Sequence, residues 1–485
     1  MEDISLLSPL KGISCAVLGL GISNLPLIDT LLHEGAAVTA RDKKSREALG
    51  DTARELESRG VRLILGEDYL KDLTERVIFR SPGIRPDRPE IAQAVDGGAI
   101  LTSEMELFFA RKKIPVFAIT GSDGKTTTTN LTNRLLKAQF ERDGQDRRVW
   151  MGGNVGTPLL PRIREMGEDD IAVAELSSFQ LFTMRQSATR AVITNITPNH
   201  LDWHPDMAEY TAAKCNIYAH ADTEHVTLNA DNGGTAALAR QIITQTDLPL
   251  TLFSSRKHSF EEIFPTHREG CTAIFTRFEQ GEEFICFGDG EYVMPVLPVS
   301  RILLPGRHNV ENYMAAISLT RGYISPEVIE EVASTFPGVE HRLELVRTLR
   351  GVTYYNSSID SSPTRTAAAL SALTVSPIVI CGGYDKNIPF EPLADALCAR
   401  ARAVVLTGAT AEKIRAALLA CPAYDPKALP ITLEPDFDRA VMAAHEMARE
   451  GDAVLLSPAC ASFDAFPNFA VRGNHFKDLI RALDE

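Results

Sequence analysis

Short apolar runs alternate with amphipathic helical stretches along most of the chain, and this alternation limits the possible folds more than any other feature of the sequence. A strand, a helix and a further strand in succession build parallel sheets covered by helices. Cys15–Leu18 is one such run; the chain then turns at Gly19-Leu20-Gly21, continues through a helical Leu25–His33 and re-enters a strand at Ala37–Ala40. Val116–Thr120, Ile171–Ala174 and Ala191–Ile196 read as strands of a second block. Ile378–Cys381, Ala403–Leu406 and Ala453–Leu456 read as strands of a third, which closes with a helix after Gly473. Between residues 225 and 305 the character changes: CTAIFTRF and EEFICFGDGEYVMPV are aromatic and β-branched with Gly-rich turns, the pattern of a small antiparallel insertion.

The chain has 485 residues, 44% of them hydrophobic. Single cores stop growing at about 250–300 residues, so about three domains are expected. The breaks fall after the basic run Arg111-Lys112-Lys113 and at Phe336-Pro337-Gly338, giving domains 1–112, 113–337 and 338–485. Asp plus Glu number 64 against 50 Lys plus Arg, a net charge of −14 that argues against nucleic acid or an anionic membrane as partner. An anionic substrate would need local cations or metal. The eight cysteines, at 15, 215, 271, 286, 381, 398, 421 and 460, form no CxxC pair, zinc spacing or disulfide framework, as in a reducing compartment. The segment MEDISLLSPLKGISC is acidic where a signal peptide is basic, and no apolar run reaches the roughly 18 residues that span a bilayer, so a cytoplasmic protein is expected.

Ala118-Ile-Thr-Gly-Ser-Asp-Gly-Lys-Thr126 lies between an apolar strand and a helical stretch through Leu131 and Leu135. Backbone N–H groups of such a turn cradle phosphates; Lys125 would reach the β- and γ-phosphates and the Thr126 hydroxyl a Mg²⁺ ion. The general phosphate-loop pattern would put its first glycine at Ile119, so the match is incomplete, and an ordinary turn with a solvated lysine is the alternative. Gly19-Leu20-Gly21-Ile22-Ser23-Asn24 is a weaker dinucleotide fingerprint: Asn24 replaces the third glycine, while Asp42 stands where a ribose-binding acid belongs. A structural turn fits it equally well. Ser81-Pro82-Gly83-Ile84 follows the strand Val77–Phe79 and adds a second glycine turn at a strand end.

Glu175 directly follows the strand Ile171–Ala174, where a Mg²⁺ ligand belongs beside a phosphate loop; an N-cap or surface acid is equally compatible with the spacing. Thr197-Pro-Asn-His200-Leu-Asp202-Trp-His204 has two histidines at the separation of a zinc pair, but Leu201 stands where that motif needs Glu and Pro205 limits any helix, so zinc is not expected. Lys214, in Tyr210-Thr-Ala-Ala-Lys-Cys-Asn-Ile-Tyr218, is by composition an exposed helical lysine.

In this order the motifs resemble the Mur ligase family, ATP-dependent amino-acid ligases of peptidoglycan precursor synthesis. The resemblance rests on AITGSDGKTT, MGGNVGTPL, AELSSFQL, NITPNHLDWH, YTAAKCNIY, LPGRHNVENYMAA, GVEHRLE and LLSPACASFDAFPNFAVRGNHF. The last segment, with the short first block, resembles the D-glutamate-adding members. The resemblance implies an α/β fold of three domains: a Rossmann-like N-terminal domain holding a UDP-sugar, a central P-loop-type ATPase domain with the antiparallel insertion, and a Rossmann-like C-terminal domain binding the amino acid. It further implies that Gly19, Gly21, Ser23, Asp42, Ser81, Pro82, Gly83, Ile84 and Asn154 contact the UDP-sugar. Gly121, Ser122, Asp123, Gly124, Lys125, Thr126 and Thr127 would bind ATP, completed by Asn309 and Arg342. Thr126, Glu175, His200 and Lys214 would hold Mg²⁺, with Lys214 carbamylated, which reverses the reading of that lysine from composition. Lys125, His200 and Lys214 would be catalytic, and Lys386, Ser462 and Phe469 would face D-glutamate. The substrates so implied are UDP-N-acetylmuramoyl-L-alanine, D-glutamate and ATP, and a monomer is expected.

One segment departs from the family pattern. Where many D-glutamate ligases read Asn-Asp-Ser-Lys-Ala-Thr-Asn, this chain reads Asn356-Ser-Ser-Ile-Asp-Ser-Ser362, so Ser357 replaces an acid and Ile359 a lysine. Arg365 is the nearest downstream cation and, with Pro363 opening a helix, would lie in the first helical turn and replace the missing ammonium. Two other readings compete. A nicotinamide-dependent oxidoreductase would use Gly19, Gly21 and Asp42 but leaves the phosphate loop unexplained, and a nucleotide-controlled binding protein would use ATP only as a switch.

Overall fold

The computed structural model describes residues 5–201, 203–266, 269–385 and 388–484. They form three sheets. The first consists of β1 (Ser14–Leu18), β2 (Ala37–Asp42), β3 (Arg62–Leu65), β4 (Val77–Arg80) and β5 (Ile100–Thr102) in the order β3-β2-β1-β4-β5, all parallel. The second runs β14-β13-β12-β11-β10-β9-β6-β8-β7. Its strands are β6 (Val116–Thr120), β7 (Val149–Gly153), β8 (Ile171–Glu175), β9 (Arg190–Ile193), β10 (His225–Asn229), β11 (Leu250–Ser254), β12 (Cys271–Glu279), β13 (Glu282–Gly288) and β14 (Val293–Pro298). The third, β15-β16-β20-β17-β18-β19, is built from β15 (Glu344–Leu349), β16 (Val352–Asn356), β17 (Ile378–Gly382), β18 (Ala403–Thr407), β19 (Ile431–Leu433) and β20 (Ala453–Leu456).

Apolar strands buried on both faces account for this architecture: every residue of β6, β8, β17 and β18 is buried, as a parallel sheet covered by helices requires. The helices present matching stripes. Asn24–His33 buries Asn24, Leu27, Ile28 and Leu31, and Lys125–Arg142 buries Leu131, Leu135 and Gln139 on the same helical period. Two compact units result, Met1–Val299 with Glu311–Val332, and Ser300–Val310 with Ala333–Glu485. The first unit contains the first two sheets and the second contains the third.

Three details differ from the sequence reading. The strand expected over Ala191–Ile196 ends at Ile193, because the Thr194 hydroxyl donates to the Asp123 carbonyl at 2.5 Å and draws the backbone towards the phosphate loop. The antiparallel part is narrower than 225–305: β10, β11 and β12 continue the parallel sheet, and only β13 runs against it, paired antiparallel with β12 on one side and with the edge strand β14 on the other. The closing helix begins at Phe469 instead of after Gly473, with Asn468 capping the Val471 N–H. Gly473 lies inside that helix, at a close approach where a Cβ would lie 2.3 Å from His341 Nδ1.

Connections leave each sheet in opposite directions: from β1 to β2 and from β3 to β4, from β6 to β7 and from β8 to β9, and from β16 to β17 and from β19 to β20, so the loops diverge around β1, β6 and β20. Ligands bind outside the carboxyl ends of such strands, where the loops diverge. Gly19–Gly21, Gly121–Gly124 and Ser457–Ser462 follow these three strands.

Candidate active site

Gly121–Gly124 turns β6 into the helix Lys125–Arg142. Gly124 has φ +80, and a Cβ on it would lie 2.5 Å from Asn312 Oδ1; one on Gly121 would lie 1.9 Å from Thr194 Oγ1. Glycine is therefore required at both positions. The Ser122 N–H donates to the Asn195 carbonyl (3.0 Å) and the Asp123 N–H to Asn195 Oδ1 (2.9 Å). The Ser122 hydroxyl lies 2.9 Å from the Tyr210 hydroxyl. Ser122 and Asp123 thus tie the loop to Asn195 and Tyr210, and the N-terminal turn of the helix that follows is the end that attracts an anion.

Two lysines converge on this loop. Lys125 Nζ donates to the Gly121 and Ser122 carbonyls, each at 2.9 Å. Lys214, on the helix Met207–Cys215, is 1% exposed, and its Nζ donates to the Gly121 carbonyl (2.8 Å) and Thr120 Oγ1 (3.2 Å). Burial, and then the charge of Lys125, hold its ammonium well below the usual lysine range, while Asp123 and Glu175 pull the other way. The exposed lysine expected from composition is thus corrected: Tyr210, Ala213 and Lys214 form the buried face of that helix.

Glu175 ends β8 and is 1% exposed. Its Oε1 accepts from Asn154 Nδ2 at 2.8 Å, whereas Oε2 is buried and, among the described residues, has no hydrogen-bond partner. A buried carboxylate oxygen left open in this way suits a hard cation. Among the described residues no cluster of three or more His, Cys, Asp or Glu side chains is assembled, so a cation here needs further oxygens, from the Thr126 hydroxyl, a modified Lys214 or a bound phosphate. His200 is exposed, has φ +56 and packs its ring on Phe179 at 4.8 Å; it is not gathered with Glu175 into such a cluster. His204 is buried among Phe179, Phe182, Trp203 and Tyr210 and is bonded to Glu209 and Ser178.

At the first sheet, a pocket of about 830 Å³ is lined by Gly19, Gly21, Asp42, Ser81, Gly83 and Ile84 together with Trp203. Lys43, Lys44, Arg85 and Arg88 add four cations to its wall. Asp42 lines it, yet its two carboxylate oxygens accept from the Leu20 N–H (2.6 Å) and the Lys44 N–H (2.8 Å), which pins the glycine turn. Gly19 has φ +84, and a Cβ on it would meet Ser81 Oγ at 2.7 Å. Asn24, legible in the sequence only as a lost glycine, donates to the Leu18 and Gly19 carbonyls and to Ser81 Oγ, joining the two turns. Ser23 precedes the helix without a side-chain cap bond, and neither Ser23 nor Pro82 is among the lining residues. The Pro82 carbonyl accepts from Arg80 at 2.9 Å. Asn154 sits away from this pocket, at Glu175.

In the second unit, Asn309 donates to the Pro305 carbonyl (2.7 Å), and Arg342 is exposed beside the buried His341. Lys477 bonds Glu340 and Glu344, and Asn356 donates to Glu344 and lies 2.9 Å from His341 Nδ1; these bonds brace the GVEHRLE segment. Ser357 Oγ accepts from the Leu343 N–H at 3.1 Å, a structural use where an acid was expected. Arg365 lies in the first turn of the helix Pro363–Ala372, exposed, and donates to the Ile359 carbonyl (3.3 Å). Ser462 is buried with its hydroxyl unpartnered among the described residues, and Phe469 is 40% exposed. Arg472, which sequence reasoning missed, holds the Ser462 loop by donating to the Cys460, Ala461 and Ser358 carbonyls. Lys386 lies outside the described residues.

Family models match in sequence order along the chain: the MurD-like N-terminal domain of Mur ligases at residues 13–103, the Mur ligase middle domain at 119–320 and the Mur ligase glutamate ligase domain at 341–460. The chain is also 45% identical over 470 residues to the UDP-N-acetylmuramoylalanine–D-glutamate ligase of Clostridium novyi (strain NT), covering 96% of each. It belongs to the Mur ligase family. The ligase of the same name from Clostridium beijerinckii is 43% identical over 474 residues, 97% of each. Two solved Mur ligases share the fold. They are the UDP-N-acetylmuramate–alanine ligase of Thermotoga maritima (TM-score 0.54, 18% identity, 97% of this chain and 99% of that one) and a UDP-N-acetylmuramoyl-L-alanyl-D-glutamate–2,6-diaminopimelate ligase (TM-score 0.56, 17% identity, 98% and 93%). No helix among the described residues is long and apolar enough to cross a membrane.

Proposed function

We propose that this chain is an ATP-dependent ligase that joins D-glutamate to UDP-N-acetylmuramoyl-L-alanine through an acyl phosphate, as a cytoplasmic monomer in peptidoglycan precursor synthesis, with domains 1–112, 113–337 and 338–485. The observation that carries the chemistry is the phosphate loop with Lys125, the buried Lys214 and the half-open Glu175 beside it. The substrates follow from the relatives' names.

A carboxylate joins an amine in water only after its oxygen becomes a good leaving group. The loop 121–127 holds the ATP phosphates by backbone N–H groups, Asn309 and Arg342 are further ATP-binding residues by the family resemblance, and Lys125 offsets the charge that gathers as the alanine carboxylate attacks the γ-phosphate, ADP leaves and the acyl phosphate forms. The amine of D-glutamate then displaces phosphate from the acyl phosphate. Thr126, Glu175, His200 and Lys214 would hold Mg²⁺, and Asn154 orients Glu175. Bound Mg²⁺ supplies charge neutralisation across the phosphoryl oxygens. Lys214, whose neutral amine burial favours, would add to CO₂ with loss of a proton and become a carbamate, an anionic oxygen donor. Gly19, Gly21, Ser23, Asp42, Ser81, Pro82 and Gly83 contact the nucleotide sugar, with the pocket's lysines and arginines facing its diphosphate. Lys386, Arg365, Ser462 and Phe469 face D-glutamate.

Phosphate release from the full chain tests the reading. Full turnover should require both the nucleotide sugar and an amino acid, with D-glutamate preferred over L-alanine, L-lysine and meso-diaminopimelate. A nucleotide switch would hydrolyse ATP without them, and an oxidoreductase would ignore ATP; either result sinks the ligase assignment.

A further inference from the structure

The wall of the first-sheet pocket and the turn that follows Glu175 are fastened together by two arginines. Arg80, 1% exposed, donates to the Pro82 and Ile84 carbonyls at 2.9 and 3.1 Å on one side, and to the Phe179 carbonyl (2.9 Å) and Thr183 Oγ1 (3.0 Å) on the other. Arg85 lines the pocket, stacks on the Trp203 ring at 4.6 Å and places both arms of its guanidinium on Glu209, at 3.0 and 3.2 Å. Glu209 Oε1 also accepts from His204 Nδ1 at 2.8 Å. Because a carboxylate only accepts, the His204 proton sits on Nδ1, and Nε2 accepts from the Ser178 hydroxyl at 3.0 Å. Ser178 opens the helical turn Ser178–Leu181, which is locked by the Ser177–Gln180 capping box and begins three residues after Glu175.

The line Arg85–Glu209–His204–Ser178 therefore starts in the pocket and ends beside the candidate cation ligand. Its inner half is sealed, with His204 at 0% and Ser178 at 2% exposure. A buried polar group that loses its partner costs about 1–3 kcal/mol, so such a line shifts as a unit more cheaply than it breaks. We propose that Arg85, Glu209 and His204 are positioning residues that hold the Ser178 turn, and with it Glu175, in register with the Ser81–Ile84 wall. A nucleotide sugar in the pocket and Mg²⁺ with nucleotide at the phosphate loop then bind cooperatively. This rests on the ligase reading above.

Equilibrium binding of UDP-N-acetylmuramoyl-L-alanine to the full chain, with and without Mg²⁺ and a non-hydrolysable ATP analogue, reads this coupling directly. The wild type should bind the nucleotide sugar at least about fivefold more tightly with the analogue present. Glu209→Gln should reduce that ratio below about twofold while the affinity for the analogue alone stays within about twofold. Ser178→Ala, at the sealed end and outside the pocket, should reduce the ratio in the same way, which loss of a pocket contact would not do. A wild-type ratio near one, or a ratio that persists in both variants, overturns the proposal. A wild type that binds neither ligand removes the ligase reading, and this proposal with it.

Discussion

Lys214 shows how burial changes what a residue can do. An exposed lysine stays an ammonium and cannot add to CO₂, whereas this one lies under the phosphate loop, where burial and the Lys125 charge favour the neutral amine. Lys214→Ala should be inactive and partly rescued by short-chain carboxylic acids, assayed by phosphate release; full activity without rescue would remove it from the site. Tyr210 and Lys214 are four residues apart and share a helical face, where Lys214 Nζ lies 4.7 Å from the tyrosine ring centroid. Composition alone, which treats lysine as a surface residue, pointed the other way. Arg365 presents the opposite case: an exposed cation, placed as expected in the first helical turn. Arg365→Ala should raise the Michaelis constant for an anionic substrate, or lower turnover, by at least about tenfold, and unchanged kinetics would leave the lysine absent at Ile359 without a replacement.

Strand ends and helix starts set the geometry in which these residues act. Gly153, at the end of β7, has φ +100, and a Cβ there would lie 2.2 Å from the Glu175 carbonyl oxygen. Gly153→Ala must therefore push β7 away from β8 and disturb the Asn154–Glu175 bond. Turnover should fall at least about tenfold while the nucleotide-sugar affinity, read at a different sheet, stays near wild type; normal turnover would mean that this approach does not position Glu175. The helix Glu104–Arg111 carries a second consequence. Glu104 accepts from the Leu160 N–H at 3.1 Å, and burial pushes its carboxyl up to about 7 from the ordinary 4.5. The folded chain keeps a proton there that the unfolded chain has lost, so the stabilisation is full below about pH 4.5 and fades as pH rises through about 7. Glu104→Gln cannot ionise. Its melting temperature should gain on the wild type between about pH 5 and about pH 8, by the equivalent of up to about 3 kcal/mol, and a difference independent of pH would contradict this assignment.

Across the whole molecule, charge is distributed against the needs of the substrates. The chain carries −14 overall, yet the first-sheet pocket presents Lys43, Lys44, Arg85 and Arg88. Net repulsion at a distance and attraction at the wall give a testable balance. Raising salt from about 0.05 to about 0.5 M should weaken nucleotide-sugar binding, because screening removes the short-range attraction as well. A Lys43→Ala, Lys44→Ala double variant should lose most of that dependence. Tighter binding at high salt in the wild type would show that global repulsion dominates.

The strand and helix alternation, the three glycine turns and the place of Lys125 after a strand were legible because each depends on short-range rules, apolar periodicity and backbone freedom at glycine; Glu175 stayed open between ligand and cap, and Lys214 read as exposed until the family resemblance reversed it. The sequence alone therefore determined three α/β blocks with ligand loops at their strand ends. Tertiary structure alone decided which loops share a site. Asn24 reaches Ser81 only because β1 and β4 are neighbours in the sheet, and Arg85 meets Glu209 across 124 residues of chain. Such contacts leave no periodicity behind, since either partner could stand elsewhere in sequence provided the fold brings the two together.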